Sequence, residues 1–279
     1  MKNILVTGAS GNVGSAIVRH LSIADPIKVW KASYKQELQS DELYFDFDNL
    51  SRTANSLNSL DILFLLRPPH ISNTRKYFEP LIAACVQMKV KHIVFLSVQG
   101  AEKSSIIPHN RIEKIIVRSG IPYTFIRPSY FMQNLTTTLK QDIQAKGLIF
   151  LPAGKAKFLW VDVNDIGAAI AAVLLNSDKH INKTYVITGS EHFTFQEIAA
   201  MLTNSLQKEI RYVSPNLLRF LMTNLKEGKP LAYILVLILL HFTARFEEMP
   251  AVSDHFHLLT GKAPNTVHNF ISENRRAWL

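Results

Sequence analysis

Short apolar runs alternate with amphipathic segments from the start of the chain to Arg127. Each apolar run has the length of a β-strand, and the segments between them repeat apolar residues at the spacing of an α-helix. The helical spacing is clearest in residues 74–88 and 111–120, where Gly120 suits a helix C-cap. The predicted strands are residues 3–7, 27–33, 42–46, 61–66, 92–97 and 123–127. Because parallel strands need helical crossovers, the alternation predicts an α/β fold with a doubly wound parallel sheet.

The first predicted strand runs into three regularly spaced glycines, and an amphipathic helix follows them. N–H groups at a helix start attract anions, and glycine lets the backbone come close to them. The spacing is G-x-x-G-x-x-G, which differs from the usual dinucleotide fingerprint. We predict that this turn binds the pyrophosphate of a dinucleotide; a glycine turn without a ligand is the alternative. The predicted contacts come from Gly8, Ser10, Gly11, Asn12, Val13 and Gly14.

The pattern changes after Pro128, where helical segments dominate and only a few short strands remain, including TYVIT and EIRYV. No internal repeat, low-complexity tract or Gly/Ser linker marks a boundary. We predict a Rossmann-like NAD(P)-binding domain formed by residues 1–128 with parts of 155–190. Residues 129–279 are predicted to form mainly a smaller, helix-rich C-terminal substrate lobe.

Composition adds two expectations about location and partners. The single cysteine, Cys85, excludes an internal disulfide, fits a reducing compartment and lies in an apolar run typical of a packing residue. The chain opens on a strand pattern without the features of a signal peptide, so we expect a cytoplasmic protein. The net charge is +9, but the cations are scattered without interleaved aromatic residues, so no nucleic acid partner is expected.

The longest apolar run, residues 231–242, is too short to span the roughly 30 Å of hydrocarbon in a bilayer. We therefore predict no membrane span. A buried helix or the wall of a substrate pocket is the favoured interpretation, and an interfacial role stays open. Two nearby histidines, His255 and His257, lack the spacing of metal ligands, so no metal site is predicted.

Residues at the carboxyl ends of the strands should contact the cofactor, because ligands bind there in such sheets. The second strand ends at Ser33 without the acid that would bind a ribose 2′-hydroxyl, and Lys35 follows. A hydroxyl and a cation suit a 2′-phosphate, so NADP(H) is favoured over NAD(H), with an ordinary surface lysine as the alternative. Asp46, after the third strand, is placed to accept a hydrogen bond from the adenine amino group. Arg67 should pass beside the pyrophosphate and the nicotinamide ribose.

Five segments in order resemble the NmrA-like branch of the atypical short-chain dehydrogenase/reductases: TGASGNVG, HIVFLSVQGA, PHNRIEKIIVRSGIPYTFIRPSYFMQN, FLWVDVNDIGAAIAAVLLN and LLTGKAPNTVHNFISENRRAW. The resemblance covers nearly the whole chain and implies a Rossmann-like, NAD(P)-binding protein. That branch includes NAD(P)H-dependent quinone and triphenylmethane-dye reductases, isoflavone-reductase-like enzymes and cofactor-sensing regulators without catalysis. Fold-level likeness cannot choose among these activities.

The chain departs from the larger superfamily because the Tyr-x-x-x-Lys pair is missing; its segment reads SSIIPHNRIEKII. His109 stands eleven residues before Gly120, where isoflavone-reductase-like members have their catalytic lysine. The resemblance implies a place near the nicotinamide, and His109 would be a proton donor there. Glu113, one turn later, would orient His109, and Ser97 would polarise a substrate carbonyl. The alternatives are a capping or surface histidine, a solvated glutamate and a serine that merely ends its strand.

The substrate side of the site is predicted after the sixth strand. Pro128 should contact the cofactor, and an apolar aromatic wall over the nicotinamide should follow, formed by Tyr130, Phe131, Met132 and Asn134. Gln99 adds a polar group at the same rim.

The leading functional hypothesis is an NAD(P)H-binding oxidoreductase that reduces a quinone-like or aromatic acceptor by hydride transfer. The alternative is a non-catalytic NAD(P) redox sensor that acts through a regulatory protein partner. Sugar-nucleotide epimerisation is disfavoured by the missing Tyr/Lys pair. Either function is compatible with a monomer or a homodimer.

Overall fold

The computed structural model describes residues 1–22, 27–69, 71 and 73–279. The chain divides into two compact units, each built from three segments. Unit 1 comprises Met1–Ser129, Val163–Ile187 and Asp254–Ala263. Unit 2 comprises Tyr130–Asp162, Thr188–Ser253 and Pro264–Leu279. The chain therefore leaves unit 1 after Ser129 and returns to it twice.

Strands and helices are numbered in chain order. The strands are β1 (Lys2–Val6), β2 (Ile27–Ser33), β3 (Glu42–Tyr44), β4 (Ile62–Leu66), β5 (His92–Leu96), β6 (Tyr123–Pro128), β7 (Tyr130–Phe131), β8 (Leu148–Phe150), β9 (Lys157–Val161), β10 (Lys183–Ile187), β11 (His192–Thr194) and β12 (Arg211–Val213). The helices are α1 (Asn12–Leu21), α2 (Leu50–Leu57), α3 (Thr74–Gln87), α4 (Pro108–Arg118), α5 (Lys140–Lys146), α6 (Val163–Leu175), α7 (Phe195–Leu206), α8 (Leu217–Lys226), α9 (Leu231–Phe242), α10 (His255–Thr260) and α11 (Val267–Glu273).

Unit 1 is organised around a seven-stranded sheet in the order β10-β6-β5-β4-β1-β2-β3. Every strand pair in it is parallel. The strand order reverses between β1 and β4, which is where a doubly wound sheet opens a ligand crevice. The fold is Rossmann-like, and the predicted fold class is confirmed.

All six predicted strands form in unit 1, with ends that shift by one or two residues. The central strands are apolar along nearly their whole length because helices cover both faces of a parallel sheet. β3 ends at Tyr44, two residues earlier than predicted. The reason is local, since the Asp46 N–H donates to the Thr53 hydroxyl at 2.9 Å instead of joining the sheet.

Helices α1 and α6 pack closely together on one side of this sheet. The contact uses small residues: a Cβ placed on Gly167 would lie 2.6 Å from the Cβ of Ala16. Ala16 and Ile17 are completely buried in α1. The helix that follows the glycine turn is thus held by a segment that enters unit 1 only at Val163, after an excursion through unit 2.

Unit 2 contains two small sheets, β11-β9-β7 and β12-β8, surrounded by helices. Its core is rich in aromatic side chains, among them the fully buried Trp160, Phe195 and Phe270. Helix α7 begins with a capping box, in which Thr194 and Glu197 satisfy each other's backbone N–H groups. Unit 2 therefore has a hydrophobic core of its own.

The apolar run at residues 231–242 forms helix α9, but the expectation of a buried helix is wrong. Only Ile234, Leu237 and His241 are buried, while the other side of the helix exposes several leucines. Within the described part of the chain, no helix is both long enough and apolar enough to cross a membrane.

Candidate cofactor site

The turn between β1 and α1 has the geometry of an anion site. Gly8 has a φ of +63°, and its carbonyl accepts the Gly11 N–H at 2.9 Å. A Cβ on Gly14 would lie only 2.1 Å from the Gly8 oxygen, so this position excludes any side chain. Gly11 is the N-cap of α1, and it has no side chain that accepts a hydrogen bond from the first N–H groups of the helix. The start of α1 is therefore open to an anionic ligand.

The side chains beside these glycines differ in exposure. Ser10 and Asn12 are exposed, whereas Val13 is buried beneath the helix start. The turn also lies at the carboxyl end of β1, next to the reversal of strand order. The residues predicted to contact the pyrophosphate are thus gathered at the point where the sheet topology places a ligand.

The residues predicted near the adenosine end follow β2 and β3. Ser33 ends β2, and its hydroxyl lies 3.4 Å from the N–H of the exposed Lys35. The Arg52 guanidinium lies over the Tyr44 ring at 3.8 Å and donates to the Gln36 side chain at 2.7 Å. Arg52 is thereby brought to the loop after β2, which also carries Lys35. Sequence reasoning missed Arg52, since no spacing links α2 to that loop.

The carboxylate of Asp46 makes local contacts after β3. One oxygen accepts the N–H of Asp48 at 2.9 Å, and the other lies 3.3 Å from the Tyr44 hydroxyl. Each oxygen keeps further acceptor capacity. The predicted contact of Asp46 with an adenine amino group stays a prediction.

Three polar side chains directly follow the ends of adjacent strands: Arg67 after β4, Ser97 after β5 and Ser129 after β6. In each of them one side-chain atom is buried without a hydrogen-bond partner among the described residues, namely Arg67 Nε and the two serine Oγ atoms. Such atoms are rare, and leaving one unpaired costs about 1–3 kcal/mol. Three of them along one edge of a sheet indicate that a ligand supplies their partners.

The Arg67 guanidinium is otherwise folded into its own loop. Its Nη1 donates to the carbonyls of Pro68, Pro69 and Ile71 at 3.2, 3.1 and 2.6 Å. Burial lowers the pKa of Arg67 below its usual value. Arg67 therefore shapes the loop after β4 and still has its Nε available for a ligand.

Gln99 and Pro128 are brought together at this edge, because the Gln99 N–H donates to the Pro128 carbonyl at 3.0 Å. This bond ties the loop after β5 to the end of β6. A second bond holds Ser97 itself, because the Ser97 N–H donates to the Ile126 carbonyl at 2.7 Å. The two hydrogen bonds together fix the backbone around Ser97.

His109 lies in the first turn of α4, as predicted, with its ring centroid 6.0 Å from that of Phe95. Burial, together with the nearby charge of Arg67, lowers the pKa of His109 to about 3. This low pKa favours the neutral ring at pH 7, and the role of His109 as a proton donor stays a prediction. The neutral ring still donates a hydrogen bond from one nitrogen and accepts one at the other.

Asn110, the next residue of α4, is a further polar group that sequence reasoning missed. Its amide nitrogen donates to the Ala101 carbonyl at 2.9 Å, while its Oδ1 is buried with no partner in the described chain. Asn110 thus holds the loop after β5 against α4. A residue next to a candidate histidine carries no distinguishing signal in the sequence.

Glu113 does not have the role that the sequence suggested. It is buried, and its two oxygens accept from Arg127 Nε at 3.0 Å and Nη2 at 2.7 Å. The third nitrogen of Arg127 pairs with Glu102 at 2.7 Å. Both the solvated interpretation and the orientation of His109 by Glu113 are therefore corrected. The glutamate instead joins α4 to β6.

The residues predicted to form the substrate wall belong to unit 2, and two of them pack in or against its hydrophobic core. Tyr130 packs against Trp160 with ring centroids 4.8 Å apart, and its hydroxyl lies 3.0 Å from His241 Nε2. Met132 is 1% exposed within the same core. The wall interpretation is wrong for Met132, since a side chain buried this way presents no face to a substrate. Phe131 and Asn134 are half-buried, and their predicted role stays a prediction.

The strand-end rule alone could have found Ser129. It applies equally to the residue after β6, which lies between the predicted cofactor contact Pro128 and the predicted wall residue Tyr130. Arg127 was not identified either, because its importance depends on a buried partner that lies 14 residues earlier in the chain.

Comparison with known proteins adds family information to this geometry. The NmrA-like family model matches residues 46–245. An NAD(P)H azoreductase from Xenophilus azovorans is 29% identical over 285 residues, which cover 99% of each chain.

Two solved structures share the fold. The Citrobacter sp. triphenylmethane reductase complexed with NADP(H) superposes with a TM-score of 0.83 at 22% identity, over 100% of both chains. The Escherichia coli NADPH-dependent quinone oxidoreductase complexed with NADPH gives a TM-score of 0.86 at 22% identity, over 97% of this chain and 99% of that one. At this level of identity the two likenesses establish the fold. Because the family model matches well over half of the residues, the chain belongs to the NmrA-like family.

Proposed function

We propose that this protein is an NAD(P)H-dependent oxidoreductase that reduces a flat, quinone-like or aromatic electron acceptor by hydride transfer. The single observation that supports it best is the row of unpartnered polar atoms on Arg67, Ser97 and Ser129 at the carboxyl edge of the sheet, a row drawn from the described residues. The row belongs to the same edge as the glycine turn after β1. An extended ligand with a phosphate group and a polar, ribose-like end fits both features.

The residues present fit a nicotinamide dinucleotide. The N–H groups at the start of α1 would hold the pyrophosphate, and the absence of a side chain at Gly14 allows the close turn that exposes them. Arg67 Nε and the Ser97 hydroxyl would donate to oxygens of the nicotinamide ribose or of the substrate. When bound, the reduced cofactor supplies a hydride, which is two electrons and one proton.

The chain's own part in the chemistry is to orient the acceptor and to polarise its oxygen. Ser97 and the neutral ring of His109 are both able to donate a hydrogen bond to a carbonyl oxygen that gains charge. The second proton needed to form a hydroquinone comes from water. This division explains how reduction proceeds without the Tyr/Lys pair of the larger superfamily.

The relatives support this class of reaction. The Xenophilus protein is named an NAD(P)H azoreductase, and the two structural neighbours are a dye reductase and a quinone oxidoreductase, each with bound NADP(H) or NADPH. Azo dyes, triphenylmethane dyes and quinones are all conjugated aromatic or quinoid electron acceptors. We infer that this chain takes a small molecule of the same kind.

NADP(H) is the cofactor that we favour over NAD(H). β2 ends at Ser33 without an acid, Lys35 follows two residues later, and Arg52 reaches the same loop through Gln36. Two cations and the Ser33 hydroxyl suit a 2′-phosphate. Tyr44 supports one face of the Arg52 guanidinium and Gln36 accepts from its Nη1, so Nε and Nη2 are the groups that would donate to an anion.

Calorimetric titration tests the cofactor preference directly. We expect Arg52→Ala and Lys35→Ala each to weaken NADPH binding about tenfold, the loss expected for one charged hydrogen bond of about 1.4 kcal/mol, and to leave NADH binding unchanged. Arg75→Ala removes an exposed arginine elsewhere in unit 1 and serves as the control. Equal losses for NADPH and NADH in Arg52→Ala would contradict the assignment of the 2′-phosphate.

The oxidoreductase proposal is tested by following the loss of NADPH absorbance with a panel of quinones and azo dyes. Acceptor-dependent turnover that falls at least tenfold in Ser97→Ala, but not in the exposed control Ser105→Ala, supports the proposal. Tight dinucleotide binding without turnover on any acceptor would overturn it in favour of a non-catalytic redox sensor. Failure to bind any dinucleotide would overturn both.

A further inference from the structure

Helix α9 carries an apolar surface that the described residues leave exposed. We define the α9 face as Leu231, Tyr233, Leu235, Val236, Leu239 and Leu240, whose exposed fractions lie between 39% and 60%. At about 100° per residue these side chains occupy roughly 200° of the helix circumference. The buried side, formed by Ile234, Leu237 and His241, takes up roughly 60°. No charged side chain belongs to this helix, so none interrupts the α9 face.

The α9 face continues beyond the end of the helix. The Phe246 ring lies 5.3 Å from that of Phe242 and is 75% exposed. At about 150 Å² for a fully exposed large side chain, the face and Phe246 together expose roughly 600 Å², the upper limit for patches on soluble monomers. Two such surfaces would bury about 1,200 Å² in total, which reaches the size of specific, stable interfaces.

The charges at the two ends of α9 are opposite. Before its first turn lie Lys226, Glu227 and Lys229, which sum to one positive charge. After its last turn lie Arg245, Glu247 and Glu248, which sum to one negative charge and are all exposed. In a dimer with a two-fold axis perpendicular to α9, the two copies of the helix are antiparallel. The positive end of each helix then lies next to the negative end of the other.

We propose that a second copy of this chain covers the α9 face in a symmetric homodimer with the two α9 helices antiparallel. An apolar centre with a charged rim is the usual composition of such an interface. The symmetric arrangement uses the same patch on both subunits and closes without leaving an open end. Lys226, Lys229 and Arg245 balance Glu227, Glu247 and Glu248, so the charges at the ends of α9 give no net attraction to an anionic bilayer, which favours the protein partner over a membrane. The proposal does not depend on cofactor binding or activity.

Sedimentation velocity over about a thousandfold range of protein concentration tests the oligomeric state. We expect a concentration-dependent dimer whose dissociation constant rises at least tenfold in Leu235→Arg. Leu235 is exposed, so the variant should fold normally, and its melting temperature verifies this. Leu258→Arg is the matched control because Leu258 is an exposed leucine on α10, in unit 1, and is 70% exposed against 52% for Leu235.

The antiparallel arrangement has a separate test based on charge reversal. Lys226→Glu and Glu248→Lys should each weaken the dimer several-fold, and the double variant should recover most of the loss. A wild-type chain that stays monomeric at all concentrations would overturn the proposal, as would a dimer that Leu235→Arg leaves intact. A monomer that sediments with phosphatidylserine vesicles would assign the face to a membrane instead.

Discussion

Replacing Gly14 with alanine would place a methyl group where the backbone of the glycine turn already lies. The new Cβ would be 2.1 Å from the Gly8 oxygen and 2.6 Å from the Gly8 carbonyl carbon. Ordinary contact begins near 3.4 Å, so backbone atoms would have to separate by more than 1 Å. The same carbonyl accepts the Gly11 N–H, and the shift would therefore open the turn.

The expected loss of stability follows from this overlap. Overpacking of a core usually costs about 1–3 kcal/mol when side chains can give way, and here the obstacle is backbone. We expect the free energy of unfolding to fall by about 3 kcal/mol. For a chain of this size that corresponds to a melting temperature lower by about 6 °C.

Thermal unfolding followed by circular dichroism, with and without NADPH, separates stability from binding. NADPH at a hundred times its Kd should add about 2.7 kcal/mol to the wild type and almost nothing to Gly14→Ala. Gly11→Ala is the matched variant, since its Cβ would meet only the Gly8 oxygen at 3.3 Å and its φ of −84° suits any residue. It should melt close to the wild type and still lose most of the NADPH effect, because its methyl group stands at the start of α1.

A Gly14→Ala protein with wild-type melting temperature would refute the steric argument. A Gly11→Ala protein with wild-type NADPH affinity would refute the assignment of the phosphate to the helix start, whatever its stability.

Three further predictions concern buried groups. Glu113→Ala leaves the Arg127 guanidinium with Glu102 alone and should reduce stability to urea by about 2–3 kcal/mol, whereas the exposed control Glu273→Ala should change it little. Burial lowers the pKa of His241 to about 4, so the unfolded chain takes up a proton near pH 6.5 before the folded one does. His241 should therefore contribute a loss of about 1–2 kcal/mol between pH 7 and pH 5, in addition to the losses from His92 and His109, whose pKa values burial also lowers, and His241→Asn should remove only its own share. Burial raises the pKa of Cys85 to about 12, so its thiol should react with a disulfide reagent only after unfolding; rapid reaction of the folded protein would contradict its placement.

The sheet of unit 1 was predictable because its central strands, β1, β4 and β5, are largely buried and appear as apolar runs. The glycine turn was predictable because both positions require glycine: Gly8 has a positive φ, and Gly14 has no room for a Cβ. The helix that carries His109 was predictable from its apolar spacing and from Gly120, which has a φ of +75° just beyond the helix. These features are local, so sequence periodicity expresses them directly.

Features that depend on distant partners were not predictable. The burial of Tyr130 depends on Trp160 and on His241, 111 residues later in the chain. The pKa of His109 depends on burial and on Arg67, and the role of Glu113 depends on Arg127. The exposure of α9 was missed for a different reason, because a helix that is apolar on every side carries no signal for which side is covered.

The discontinuous course of unit 1 has a consequence for protein synthesis. Helix α6 and strand β10 belong to this unit, but the ribosome makes them only after the first segment of unit 2, Tyr130–Asp162. At about 5–20 residues per second, the interval between Ser129 and Ile187 lasts roughly 3–12 s. Throughout it the apolar side of α1, with Ala16 and Ile17, lacks its cover. A nascent chain arrested soon after Ser129 should therefore be a chaperone substrate, and a gene truncated there should not yield a folded nucleotide-binding unit.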